Sequence, residues 1–435
     1  MDTETTEMTI PQANALRRRQ FIQLGTLGGC LGFSQYLRAA HNAQQTATER
    51  SAVLVFLKGG PAHQDTFDLK PEAPAEYRGE FRPIKTNVAG VDICEHLPKL
   101  ARCADRFALL RGITHNLADH EIGSSYLLTG NRPNPTIRFP MYGSVVSQQM
   151  SGREDLPEFI SIDRPLGGPG FLGPEYGPLS TGEKPQYGLP FRVRGISLDD
   201  GISIEKYRSR AALAKDLDTF YRGLEHLDEQ VRSLDQFSKQ ALELISSPRC
   251  RDAMDLRLEK DSEVSRFGKH EFGQSLLMTA RLVEAGVRFI TVIIEDWDTH
   301  QDNFNALAGR LLPPFDQALS AFFERLQQRG LLNTTTVMVT GEFGRTPRIN
   351  GNAGRDHWAR AMCALLAGAG IQSGQVVGAT NHKAEEPAEK AYTPDDLAAT
   401  FYSAIGIDPK MEFAANIGRP ITLIRDGTKI DSLLA

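Results

Sequence analysis

The chain has 435 residues, of which 40% are hydrophobic and 24% charged, with a formal net charge of −5. That length allows one large domain or two to three smaller ones, and a sizeable core in either case. The near-even charge balance, with no basic run beyond residue 20, argues against a nucleic-acid-binding surface.

The N-terminus differs in kind from the rest. Residues 1–16 are polar, Arg17-Arg18-Arg19-Gln20-Phe21-Ile22-Gln23 follows, and residues 24–33 are apolar and glycine-rich. Paired arginines, a polar residue, Phe and a short, weakly apolar run predict a twin-arginine export signal over residues 1–40. The expected destination is the periplasm or cell envelope, reached through the twin-arginine translocation machinery. The apolar run is too short for a comfortable membrane span. Leu27-Gly28-Gly29-Cys30 is a poor lipobox, so lipid anchoring at Cys30 is not expected. The competing reading is a disordered tail with a chance apolar patch. Cys94, Cys103, Cys250 and Cys363 show no CxxC spacing; buried free thiols are expected.

Residues 41–50 read as a linker, and residues 51–435 as one domain. Residues 51–57 (SAVLVFL) form an apolar, β-branched run of strand length, stopped by Lys58-Gly59-Gly60-Pro61. A helix is expected at 95–104, a strand at 107–113, a helix at 119–129 closed by Gly130, and a short strand at 158–162. Fourteen of the 33 residues from 163 to 195 are Pro or Gly, which predicts an ordered irregular loop near the functional site. A long helical insertion is placed at about 204–260. Within it Leu213, Leu217, Phe220, Leu224, Leu227, Val231 and Leu234 are spaced alternately by four and three, a coiled-coil seam. The seam suits a helical hairpin or a homodimer interface. Alternation then resumes with a helix at 271–285, strand 287–294, helix 305–329, strands 335–340 and 361–367, helix 394–405 and a last strand near 420–423. Such alternation predicts an α/β fold with a mostly parallel sheet and helices on both faces.

Chemistry-bearing residues gather where strands end. Glu295-Asp296-Trp297-Asp298-Thr299-His300 follows one strand, Gly341-Glu342-Phe343-Gly344-Arg345 the next, and Gly354-Arg355-Asp356-His357-Trp358 comes soon after. Ligands of open α/β sheets bind beyond the carboxyl ends of strands. Five of the ten histidines (His63, His115, His120, His300 and His357) fall in such segments. Mixed carboxylates and imidazoles suit a divalent ion, Zn, Mn or Ca. The candidate metal ligands are Asp65, Asp298, His300, Glu342, Asp356 and His357, with Asp296 as an alternate. Residues i and i+2 of an extended segment point the same way, so Asp298 and His300 suit one ion. His120 and His63 are the candidate catalytic residues, as ligand or general base. Arg345 and Arg355 are candidate anion-binding residues, although each taken singly fits a surface role.

The segment His120-Glu121-Ile122-Gly123-Ser124-Ser125-Tyr126-Leu127-Leu128-Thr129-Gly130 resembles the sulfatase signature at its Leu-Leu-Thr-Gly end. Residues 59–68, 272–287, 297–300, 341–347 and 354–358 are together similar to an exported, sulfatase-like family, the domain-of-unknown-function family fifteen-oh-one. The resemblance implies the three-layer α/β sandwich of the alkaline phosphatase superfamily. Its enzymes use metal ions and a Ser, Thr or modified Cys on phosphate or sulfate esters. Aligned back from Gly130, the nucleophile position falls on His120, so the hydroxyl or thiol is missing there and modified-cysteine chemistry is excluded. Glu342 and Phe343 stand where related enzymes carry Asp and a metal-binding His.

Three functions are therefore expected to compete. One is a metal-dependent hydrolase of sulfate or phosphate esters, with metal-bound water replacing the absent nucleophile. Another is a non-catalytic binder of sulfated or phosphorylated carbohydrate in the cell envelope. The third is a structural or assembly protein that uses the 204–246 seam.

Overall fold

The structure, a computed structural model, describes residues 50–150, 152, 153, 155–189, 191, 247–414 and 420–435. The export signal, Cys30 and the 204–246 seam lie outside the described residues.

The central sheet has eight strands. In chain order they are β1 (Ser51–Leu57), β2 (Phe107–Ile113), β3 (Phe159–Ile162), β4 (Leu179–Ser180), β5 (Phe289–Ile294), β6 (Thr335–Thr340), β7 (Met362–Gly368) and β8 (Gln375–Val377). Across the sheet the order is β8-β2-β7-β6-β1-β5-β3-β4. β1 lies in the middle, parallel to β5 and β6, with Val53 opposite Ile290 and Val337. β7 runs antiparallel to both its neighbours, β2 and β6. The other pairings are parallel.

β1 is buried along its whole length, as a strand covered on both faces must be. Its side chains alternate between two cores. Val53, Val55 and Leu57 join one core with Leu276 and Leu277 of α3 (Glu271–Ala285) and Leu319 and Phe322 of α4 (Leu312–Gln328). Ala52, Leu54 and Phe56 join the other. There they pack with Leu127 of α1 (His120–Thr129), Val145 of α2 (Tyr142–Gln149) and Phe401 of α5 (Pro394–Ile405). This is the expected α/β sandwich with helices on both faces.

Local chemistry sets the helix ends. The Asp119 carboxylate accepts the N–H groups of Glu121 and Ile122, and Gly130 closes α1 in the left-handed conformation. Thr393 and Asp396 make a capping box at the start of α5. Pro313 and Pro314 have no N–H to donate, and the helix expected from residue 305 starts at Asn303 and passes through a π turn, Ala306–Leu311, before α4.

Two expectations need correction. The helix expected at 95–104 is a single turn, Pro98–Ala101, followed by a 3-10 turn, Ala104–Arg106. The last strand, Pro420–Thr422, pairs with Glu412–Ala414 in a separate ribbon. The Pro/Gly-rich loop supplies the edge strand β4; its residues 166–170 help wall a cavity of about 650 Å³ beside Ser125 and Thr129, and its Lys184 lies 3.8 Å from Glu295 at the end of β5. All four cysteines among the described residues are free and buried. Burial pushes the thiols of Cys94 and Cys103 up to about 12 and that of Cys250 up to about 11, so none is a poised nucleophile.

Candidate functional site

The site lies where β1, β5 and β6 end side by side. After β1 the chain turns sharply at Gly59, and a Cβ there would stand 2.3 Å from the Asp298 nitrogen. Two backbones therefore touch at that point, which only glycine permits. After β5, the buried Trp297 packs edge-on against Phe315 at 5.6 Å and holds the segment down. Asp298 and His300 lie on either side of Thr299, itself buried and donating to Asn303 Oδ1 at 2.6 Å. After β6, Glu342 and Phe343 are fully buried. Gly344–Arg345 then pairs antiparallel with His357–Trp358, which brings His357 back beside the cluster. His120 arrives from the first turn of α1.

These elements converge four donor groups. His300 Nε2 lies 2.9 Å from His357 Nε2 and 3.0 Å from Asp298 Oδ1. His357 Nε2 is 3.4 Å from Asp298 Oδ1, and His120 Nε2 is 3.3 Å from Asp298 Oδ2. One ligand atom each from His120, Asp298 and His357 lie within 4.8 Å of one another.

The opposite ring nitrogens determine what this means. His357 Nδ1 faces the Ala118 carbonyl at 2.8 Å, His300 Nδ1 faces Asp356 Oδ1 at 2.7 Å, and His120 Nδ1 faces Glu342 Oε1 at 2.5 Å. A carbonyl or carboxylate can only accept, so each Nδ1 carries the proton. In the neutral rings every Nε2 then presents a lone pair toward a carboxylate oxygen. Acceptors packed at 2.9–3.4 Å repel one another unless a proton or a metal ion lies between them. Two donors on a tetrahedral zinc lie roughly 3.3 Å apart. The second-layer acceptors behind the imidazoles are the usual support of metal-bound histidine. The residues fit a divalent ion.

Local charge is consistent with this. Burial pushes the Asp298 carboxyl up, but the hydrogen bond and charge of Arg345 outweigh it and hold it below the usual carboxylate range. The hydrogen bond to Glu342 raises the affinity of His120 for a proton, and burial lowers that of His357.

The other candidates from the sequence take different places. Glu342 stands behind the cluster, its Oε1 accepting from His120 and, at 2.8 Å, from the Gly59 N–H. Asp356 likewise supports His300. Asp65 is drawn away from the cluster. Its two oxygens accept from Arg355 at 2.7 and 3.0 Å and from Asn303 at 2.8 Å, all fully buried. Arg355 is thereby spent on Asp65 and on the carbonyls of Tyr77, Thr346 and Pro347. Arg345, also fully buried, donates to the carbonyls of Gly59, Gly60 and Arg355 and to Asp298. Neither guanidinium presents the exposed fork that an anion site needs. Asp296 pairs with Arg310 at 2.6 Å. His63 is buried behind Gly344, with its Nε2 2.9 Å from the Ala384 carbonyl, outside the cluster. Sequence reasoning missed the Ala118 carbonyl and the tie between Arg345 and Asp298; a backbone acceptor and a contact across 47 residues leave no local signal.

His63 and His115 carry a prediction of their own. Burial lowers both to about 4, against about 6.5 in the unfolded chain. The unfolded chain takes up these protons as pH falls through 6.5, and the folded protein does so only near 4. The stability from keeping them neutral is whole above pH 6.5 and is lost as pH falls toward 4, up to about 3 kcal/mol for each. Urea titrations at pH 7 and pH 4.5 should show the drop, and a His63→Asn variant should show a shallower one.

The fold and site define an α/β protein with a histidine–carboxylate cluster of metal-ligand type at the strand ends. Residues 49–434 match the family model described as "Protein of unknown function (DUF1501)", and the chain belongs to that family. No curated protein matches it. Among solved structures it is similar to the PsFucS1 sulfatase from Pseudoalteromonas sp., at 13% identity over 91% of this chain and 74% of that one, with a TM-score of 0.38. It is similar to a protein in the alkaline phosphatase superfamily from Vibrio parahaemolyticus, at 13% identity, 83% and 67% coverage and a TM-score of 0.35. A third is the phosphonate monoester hydrolase of Agrobacterium radiobacter, at 9% identity, 84% and 75% coverage and a TM-score of 0.34.

Proposed function

We propose that His120, His300, His357 and Asp298 hold one divalent metal ion and that the protein hydrolyses sulfate or phosphate esters there. The observation that carries this reading is the set of three Nδ1-anchored imidazoles whose Nε2 lone pairs converge on one carboxylate. Three nitrogens and one carboxylate favour zinc or another borderline ion over calcium, which takes six to eight oxygens. Such an ion acts as a Lewis acid on an ester oxygen. The chain's own contribution is orientation. Arg345 fixes Asp298, Glu342 fixes His120, Asp356 fixes His300, and the buried Trp297 keeps the loop rigid. Position 120 carries an imidazole and no hydroxyl or thiol, so the chain offers no side-chain nucleophile there.

The test is elemental analysis of protein purified without chelator, together with turnover of aryl sulfate and aryl phosphate. One bound zinc-class ion per chain is expected. His300→Ala should lose the ion and lower turnover at least ~100-fold. Protein that carries no metal, or a variant that turns over normally, overturns the reading. A second reading has its own support: four protein donors complete a tetrahedral shell, as in structural zinc sites. Bound metal with retained binding of a sulfated or phosphorylated carbohydrate, but no turnover, would favour this binding role.

We also propose export through the twin-arginine pathway to the periplasm or cell envelope, supported by Arg17-Arg18-Arg19-Gln20-Phe21. Arg18→Lys with Arg19→Lys should leave the protein in the cytoplasm, as read by fractionation; normal export of that variant refutes it.

A further inference from the structure

A cleft of about 640 Å³ lies beside the histidine cluster, between the loop 346–351, Trp358 and Tyr77. Asp356 belongs to both places. Its Oδ1 holds His300 Nδ1 and meets Asn350 Nδ2, whereas its Oδ2 has no partner among the described residues. The cleft therefore begins one imidazole away from the converging ligands.

Its walls are of two kinds. Trp358 and Tyr77 are half-buried aromatic residues, and Ile349 adds an aliphatic patch. The Trp358 N–H is taken by the Glu385 carbonyl at 2.7 Å, so the indole offers the cleft only apolar ring surface. Arg360 lies over the Trp358 ring and Lys383 over the Tyr77 ring, but neither cation lines the cleft. The polar wall is open to solvent and lacks protein partners. Arg348 is exposed, and among the described residues no acceptor meets its guanidinium. The Tyr77 hydroxyl has no partner there either. Glu385 engages one oxygen with Asn381 at 3.3 Å and leaves the other free.

This set selects among ligands. A bare oxyanion would meet two carboxylates, Asp356 and Glu385, for the one guanidinium of Arg348, and like charges so placed repel it. A flat aryl group would cover the aromatic walls and leave the carboxylates and the guanidinium desolvated without partners. A hydroxylated ring suits both walls. Each hydroxyl donates and accepts, and the C–H faces lie on aromatic surface, as in concave sites that combine apolar walls with a few placed polar groups.

We infer that the cleft binds one ring of a carbohydrate. Trp358 and Tyr77 lie against its C–H faces, Asp356 and Glu385 accept from its hydroxyls, and Arg348 donates to its oxygens. A saccharide longer than one ring bridges the cleft and the ion site. A sugar ester as the substrate rests on the hydrolase reading above; binding of the ring does not.

The chain reports this binding itself. Trp358 is one of two tryptophans, and the other, Trp297, is buried. The probes are glucose 6-sulfate and glucose 6-phosphate, titrated at constant ionic strength and followed by tryptophan fluorescence. A saturable change with both is expected, and none with inorganic sulfate. Trp358→Phe should remove the change, while the emission of Trp297 shows that the variant is folded. Arg348→Met should weaken binding at least tenfold, the loss of one charge-assisted hydrogen bond. His300→Ala should keep the fluorescence change. Binding of the sugar esters by protein without metal or turnover supports the cleft and removes only the hydrolase reading. No saturable change with either sugar ester overturns the inference. So does binding that is unaltered in Arg348→Met, or phenyl sulfate binding as tightly as glucose 6-sulfate, which makes the cleft a site for aromatic surface alone.

Discussion

Asp65→Ala should lower the unfolding free energy by about 3–5 kcal/mol. Asp65 and Arg355 are both fully buried and meet through two parallel hydrogen bonds. The attraction of such a pair does little more than offset the cost of taking both charges out of water. Removing the carboxylate alone leaves the guanidinium buried and uncompensated, and that is where the penalty arises. The same reasoning predicts a rescue. Asp65→Leu combined with Arg355→Met should recover only part of the lost stability: no charge is left buried, but Asn303 and the carbonyls of Tyr77, Thr346 and Pro347 lose their partners. Urea titration of both variants is the measurement. A single variant within about 1 kcal/mol of the native protein would show that the pair is solvated in solution. The effect should reach the site as well. Arg355 directly precedes Asp356 and His357, and its guanidinium pins the loop carbonyls of Thr346 and Pro347. A loosened Arg355 lets the support of His300 and the imidazole of His357 drift together.

This ion pair also shows where sequence reasoning ends. Asp65 is a polar residue just past a strand, among histidines and other carboxylates, and nothing near it distinguishes ligand from salt-bridge partner. The deciding contact comes from a residue 290 positions away. By contrast β1 was legible, because a strand covered on both faces must be apolar without interruption. The shared side of Asp298 and His300 followed from their spacing of two. The direction of β7 was not legible: the run MCALLAG has the same composition whichever way it points. His120 is intermediate. Its place at the start of a helix could be read from Asp119 and Gly130, but its partnership with Glu342 depends on how β6 and α1 meet.

Gly59→Ala should do more damage to the site than any exposed ligand support, although Gly59 touches no substrate and offers no side chain. Its backbone has φ +118°, a conformation that L side chains rarely adopt, and the added Cβ would meet the backbone of Asp298 at 2.3 Å and of Trp297 at 2.6 Å. Backbone cannot swing aside as a flexible side chain does, so β1 and the β5 exit must separate. The same peptide supports the cluster from two sides. Its N–H donates to Glu342, which holds His120, and its carbonyl accepts from Arg345, which holds Asp298. Moving it disturbs both supports at once. A loss of ~3 kcal/mol or more is expected from strain and overpacking, with metal affinity falling ~10–100-fold as for other lost outer-shell partners. Gly90→Ala separates the causes. Gly90 also has a positive φ, +79°, but has nothing within 4 Å of the added carbon. It should cost only ~1 kcal/mol and leave metal binding intact. Equal losses in the two variants would mean that backbone conformation alone matters at Gly59, and that the close approach of β1 to Asp298 does not shape the site.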